Sequence, residues 1–492
     1  MKKKITNLIY RFKTWNPSVY ATILILLLPT IYFAVTKFRL DNDFWFLINT
    51  GKVIMQKGFI TIEPFTIHSN LAFIPQQWLT DIIFYLIYSK FSVVGMFVFL
   101  LILNYLIVFL LYKLISLICK MKGINLLIAL ILNLTLLVFG AIVTRPHTID
   151  IILLLLEIII LESYVKNNKK KYLYFIPLIS VLFINFHSST WLMLFVFMLP
   201  YYVEWFYKMI KKEKTFKIKP VFIVTIISFF IGFINPYNYK AIIYLFNSYG
   251  NKMINDSVLE MLPVTITSGK IIYLMLFVVM IIIYLNKGKN KIRYICLFLG
   301  TTYLMLSHYR GLLFWIVIIP LIIGDFLNNF QKIGGKKMII NNKEKIVYCI
   351  LIVSFVLIVF LNAKFENEPK LKEIADYLDK NANYDIKLYT GYNDGSYMEY
   401  RGYKCYIDPR AEVFLKNNNK KEDIFSEYYK VKNGESDLND FFNKYNFDYL
   451  LVDSNSNYIL YFLKNDNDYE NVLKVKDKEF DFEYYLFKKV KE

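Results

Sequence analysis

The feature that most limits how this chain can fold is a recurrence of apolar stretches close to 20 residues long. A helix of that length crosses the roughly 30 Å hydrocarbon core of a bilayer. The stretches fall at about 18–36, 94–118, 124–142, 148–164, 173–186, 190–206, 220–234, 271–285, 292–307, 311–326 and 346–362. They predict a polytopic α-helical membrane protein with about 11 transmembrane helices. Composition agrees. Of 492 residues, 56% are hydrophobic and 20% charged, with a mean hydropathy of +0.40. An ordinary soluble enzyme, a disordered tail and a fibrous protein are excluded on that ground.

A formal net charge of +19 would ordinarily raise nucleic acid as a partner. Its distribution points elsewhere. With the N-terminus in the cytoplasm, the alternate loops 1–17, 119–123, 165–172, 207–219, 286–293 and 327–345 hold about 26 Lys and Arg, against about nine in the opposing segments. The excess marks topology, and no nucleic acid is expected. The run Ser18–Thr36 has no small-residue cleavage site after it and reads as a retained first helix. Four cysteines without a pairing or metal-type spacing exclude a disulfide-stapled scaffold.

An odd number of spans places the polar C-terminal segment, 363–492, outside. Its acids outnumber its bases, and helical patterns (Pro369–Asn381, Asn417–Lys430) alternate with strand-like runs (Ile386–Thr390, Tyr406–Ile407, Tyr449–Val452, Tyr484–Phe487). This predicts a small α/β domain following a transmembrane domain over 1–362.

With this orientation the polar residues that are expensive near a membrane gather on one side. His68, His147, His187 and His308 all fall in outer segments, with Asp41, Asp43, Arg145, Tyr237, Glu260 and Arg310. In the first outer loop, 37–81, Asp41-Asn42-Asp43 opens a helical pattern that carries Trp45, suits an interfacial helix and ends near Gly58. Asp41 could be only an N-cap. Equally, the two carboxylates could supply a general base and a ligand for a divalent cation, Mg or Mn. Asp150 and Glu157 extend a polar stripe from Arg145 and His147 into the fourth span, with Arg145, His147 or His187 as candidate partners. Arg145 and Arg310, both beside histidines, are the cations best suited to a phosphate, because a guanidinium offers a planar fork to its oxygens.

These elements, taken in order, resemble the GT-C class of polytopic glycosyltransferases, and more closely bacterial GT-C-like membrane proteins with an extracytoplasmic C-terminal domain. The resemblance rests on Asp41-Asn42-Asp43-Phe44-Trp45 followed by Gly51 and Gly58, then Gln77-Trp78-Leu79, Arg145-Pro146-His147, Asn185-Phe186-His187-Ser188, Asn235-Pro236-Tyr237 and His308-Tyr309-Arg310. Tyr392-Asn393-Asp394-Gly395 and Asp408-Pro409-Arg410-Ala411 match a recurring pair in the C-terminal domain. The chain departs from the group at Gln77, where Glu is usual, and at Leu47, where His is frequent. Both changes remove metal-ligating side chains from the first loop.

The resemblance implies a GT-C-like fold and transfer of a sugar from a polyprenyl-phosphate-linked donor to a glycan, lipid or protein acceptor at the outer face of the bacterial cytoplasmic membrane. Asp43 matches the catalytic acid of the first loop, with Asp41 assisting it or binding metal. Arg145 and Arg310 would hold donor phosphate. Trp45, His147, Asp150, His187, Tyr237, Glu260, His308, Asp394, Asp408 and Arg410 would line the substrate site or its cap. A glycolipid transporter or flippase, and a non-catalytic membrane assembly protein with the same fold, are the alternatives.

Overall fold

Helix α1 (Asn42–Lys57) starts where the Asp41 side chain accepts the Asp43 backbone N–H at 3.0 Å, and stops at Gly58, whose φ of 83° suits glycine. Its apolar residues Phe44, Leu47 and Ile48 are buried. Their cover is protein rather than the bilayer interface, because α1 packs between helix α2 (Trp78–Ile118) and a helix of the C-terminal unit. Gly51 makes the first of these contacts close. A Cβ there would stand 2.1 Å from the Asp81 carbonyl oxygen.

The computed structural model describes residues 32, 38–120, 122–248, 250–286, 288–332, 371–477 and 482–490. The first and last expected spans, 18–36 and 346–362, lie outside these residues, Tyr32 apart. Each other expected span coincides with a helix: α2, α3 (Lys122–Val138), α4 (His147–Asn167), α5 (Ile176–Phe186), α6 (Leu192–Ile210) and α7 (Lys219–Ile231). After two short helices, α8 (Tyr239–Ser248) and α9 (Lys252–Ser257), follow α10 (Lys270–Leu285), α11 (Ile292–Ser307) and α12 (Leu312–Lys332). Helix α2 begins well before the expected start at 94. Its first limb escaped the hydropathy pattern because Asp81, Ser89 and Lys90 dilute the apolar run, and Ser92, at φ 53° and ψ −151°, breaks the helix between the two limbs.

In the bundle α2 packs on α3, α4 and α12, while α11 packs on α6 and α12. Phe91, Val94, Phe230, Leu274 and Leu299 project outward, each at least 60% exposed, an apolar exterior suited to lipid. Two stretches, Trp78–Ile118 and Tyr309–Asn329, are long and apolar enough to cross a membrane by length and composition. Helices α5 and α7, of 11 and 13 residues, are shorter than the ~20 residues of a full crossing. Among the described residues two helices thus pass this test of length and composition, and the expected count of about 11 is not confirmed by it.

A buried ion cluster ties three helices together at the bundle end remote from α1. Arg293 of α11 reaches Glu162 of α4 through Nε (2.7 Å) and Nη2 (2.8 Å), and Glu204 of α6 through Nη1 (2.6 Å). The Tyr201 and Tyr294 hydroxyls also donate to Glu162. Excellent geometry on every partner is what a buried ion pair requires.

The C-terminal unit runs α13 (Lys372–Asn381), β1 (Lys387–Tyr389), α14 (Gly395–Tyr400), β2 (Lys404–Cys405), α15 (Lys416–Asn419), α16 (Ile424–Lys432), α17 (Leu438–Tyr445), β3 (Tyr449–Asp453), α18 (Asn457–Asn465), β4 (Tyr469–Asp477) and β5 (Phe482–Lys489). Its sheet has the order β2-β1-β3-β5-β4, with β1 parallel to β2 and β3, and β5 antiparallel to β3 and β4. The expected helix 417–430 is two helices, separated near Lys420 at φ 61°. Strand β4 is an addition: its lysines and its half-exposed edge position hide the strand pattern.

This unit sits on the α1 end of the bundle. Helix α14 packs on α1, and Ser396 Oγ donates to the Asn42 carbonyl at 2.9 Å. Asn418 Nδ2 donates to Ser248 Oγ at the end of α8, also at 2.9 Å.

Candidate active site

Between the α1 end of the bundle and the C-terminal unit lies a cavity of about 680 Å³. Asp43, Arg145, His147, His187, Glu260, His308, Arg310 and Arg410 all line it. They come from six separate stretches of chain. The other expected residues stand apart from this wall. Asp41, Trp45 and Asp394 line a second hollow of about 770 Å³ that shares Asn42, Tyr392 and Asn393 with the first. Asp150 and Asp408 are fully buried behind His187 and Arg410. Tyr237 is buried in a small cluster with Ile74, Ala241 and Tyr244. His68 is distant, its Nε2 2.8 Å from the Tyr406 carbonyl.

The centre of the cavity wall is a chain of charges. Arg145 Nε meets Asp41 Oδ1 at 2.6 Å, Nη2 meets Asp43 Oδ2 at 3.2 Å, and Nη1 bonds Glu260 Oε1. The other Glu260 oxygen lies 3.6 Å from Arg310 Nε. Asp41 is thus both the N-cap of α1 and an Arg145 partner. Burial pushes Asp43 up to about 7; Arg145 and Arg310 oppose that rise, while Asp41 and Glu260 reinforce it. Burial alone would raise Glu260 as well, but Arg310 and Arg145 outweigh it and hold this carboxylate at about 2. Two acids in one cluster are therefore driven apart, which is how a site separates a proton acceptor from a permanent charge.

Also on the cavity, His187 Nδ1 lies 2.6 Å from Asp150 Oδ2. The carboxylate holds the proton on Nδ1 and fixes the ring, leaving Nε2 as the cavity-facing nitrogen. Asp150 thus pairs with His187, the last of the three partners expected for the α4 stripe. Glu157, deeper in α4, has no hydrogen-bond partner for either carboxylate oxygen among the described residues.

Arg410, 1% exposed, closes the roof. Its Nε donates to Asp408 Oδ1 and its Nη2 to Glu63 Oε1, both at 2.9 Å, with Glu399 at 3.6 Å. This knot fastens the C-terminal unit to the segment between α1 and α2, while Nη1 of Arg410 has no hydrogen-bond partner among the described residues. Burial, aided by Asp408, drives the Glu399 carboxyl well above the usual carboxylate range, against the pull of Arg410. Sequence reasoning missed Glu63, because its partner Arg410 is far away in the chain, and Glu399, which no motif marks. Glu63 precedes Arg410 by 347 residues.

As arranged, the residues do not fit a resident divalent cation. No group of three His, Cys, Asp or Glu side chains is placed to hold a metal among the described residues, and the Arg145 guanidinium stands between the three carboxylates. A divalent ion about 4 Å from that guanidinium would meet roughly 8 kcal/mol of repulsion at an effective dielectric of about 20.

Neither a protein-family model nor a curated protein matches the chain. Solved structures do. The crystal structure of the Archaeoglobus fulgidus oligosaccharyltransferase in its apo form aligns with a TM-score of 0.60 at 10% identity, over 90% of this chain and 70% of that one. The same enzyme tethered to an acceptor peptide containing the NVT sequon aligns with a TM-score of 0.54 over the same shares. The fold is GT-C-like. At 10% identity the likeness is one of architecture.

Proposed function

We propose that this protein is a membrane glycosyltransferase that moves a sugar from a polyprenyl-phosphate carrier to an acceptor hydroxyl or amide at the outer face of the membrane. The observation that carries the reading is Asp43 on the cavity wall, tuned to titrate near neutrality and flanked by two arginines. The oligosaccharyltransferase-like architecture supports it, since that enzyme works on an acceptor peptide.

In this reading Asp43 takes the proton of the acceptor as the acceptor atom bonds to the anomeric carbon. The bond from that carbon to the phosphate oxygen breaks, and its electron pair leaves with the phosphate. The displacement is single, so the anomeric carbon inverts. Arg145 is held by three carboxylates, whereas Arg310 makes one long contact to Glu260. Arg310 is accordingly the principal phosphate ligand, with His187 Nε2 and His147 beside it, and Arg145 orients Asp43. The C-terminal unit roofs the cavity and supplies Tyr392, Asn393 and Arg410 to the acceptor side.

Purified protein given a labelled polyprenyl-phosphate sugar and a mixed acceptor extract tests this. Transfer by the wild type, and its loss in a folded Asp43→Asn variant, is expected. Full activity in that variant would sink the assignment, and lipid flipping without transfer would favour the transporter reading.

A further inference from the structure

We infer that the Arg145 guanidinium occupies, as a built-in cation, the place among Asp41, Asp43 and Glu260 that a divalent metal would need, so the site excludes Mg²⁺ and Mn²⁺ while Arg145 is present. Oxygen donors from separate stretches of chain, converging on one point, are what a hard divalent cation asks for. Here those stretches are the N-terminal end of α1 and the segment after α9, which carries Glu260. What stands at their convergence is a guanidinium whose Nε, Nη1 and Nη2 each face one carboxylate. Its planar fork of donors uses the in-plane oxygens that a metal would take. Asp41 Oδ1 is committed twice, to Arg145 and to the Asp43 backbone N–H.

The guanidinium is also anchored from behind. The Arg145 backbone N–H donates to the Val143 carbonyl at 2.7 Å, and the neighbouring Thr144 Oγ1 accepts the Asp41 backbone N–H at 3.1 Å. The turn that carries Arg145 is thereby tied to the residue that caps α1, so the cation and its carboxylates move together. The inference rests on the proposed transfer site only for its consequence, a metal-independent reaction, and it is tested without donor or acceptor.

The full chain in detergent micelles is titrated with MnCl₂, and free Mn²⁺ is followed by electron paramagnetic resonance. The wild type should bind no stoichiometric Mn²⁺, and its melting temperature should be the same in EDTA and in millimolar MgCl₂. Arg145→Ala should gain one Mn²⁺ per chain, lost again in Asp41→Asn/Arg145→Ala, whereas Arg145→Lys should still exclude the ion. A wild type that binds one Mn²⁺ per chain and loses it in Asp41→Asn overturns the inference, and that arm needs no Arg145 variant to fold. Failure of monodisperse, helical Arg145→Ala to gain Mn²⁺ also overturns it. A protein that excludes Mn²⁺ but transfers no sugar leaves the inference standing and removes the transfer reading.

Discussion

Asp43 is the residue on which the chemistry turns, and its titration sets a pH dependence. Because its pKa is raised to about 7, the ionised form that accepts a proton is scarce at pH 6 and dominant at pH 8. Transfer should rise close to tenfold per pH unit below about 7 and level off above it; a flat profile from pH 5 to 8 would assign the base elsewhere. Asp150→Asn leaves the ring of His187 in place but no longer fixes its tautomer. Its rate should fall by about 10²-fold, within the range that acid–base groups contribute, with the melting temperature little changed. Asp41, Asp43, Arg145 and Arg310 were legible in the sequence because spacing and a common side select them. Their mutual contacts were not, since Glu260 meets Arg145 across 115 residues.

At the scale of elements, glycine and buried charge decide how helices meet. Gly51 lets α1 lie against the start of α2, and any side chain there runs into the Asp81 carbonyl. Gly51→Val should cost about 1–3 kcal/mol through overpacking and should disturb the cavity by moving Asp43, whereas Gly58, with nothing within 4 Å of its Cβ position, pays only for its positive φ. Thermal melting of the two variants in the same detergent separates these effects. Arg293 was read in the sequence as one more cytoplasmic-side charge, yet it is buried at the junction of α4, α6 and α11. Arg293→Met strands two carboxylates, and a loss of about 3–5 kcal/mol is expected, seen as a large fall in melting temperature. The helix positions were legible because apolar runs are local. This knot was not, because a positive residue in a short loop reads the same whether solvated or buried.

At the scale of the whole molecule, a helical bundle and an α/β unit both line the cavity that holds Asp43, and neither part makes the site alone. The sequence separated the two parts by composition and marked β1, β3 and β5 by their apolar runs. It also paired Tyr392–Gly395 with Asp408–Ala411, and the reason for that pair is now physical: a Cβ on Gly395 would stand 2.0 Å from the Ile407 carbonyl. Of Asp408 and Arg410, both expected to line the substrate site or its cap, Arg410 is on the cavity and Asp408 is buried behind it. The product of a single reaction decides whether Asp43 acts by single displacement. Nuclear magnetic resonance of the glycoside formed from a polyprenyl-phosphate sugar of known anomeric configuration should show inversion with the wild type and no product with Asp43→Asn. A product of retained configuration, or one formed equally well by Asp43→Asn, would contradict it.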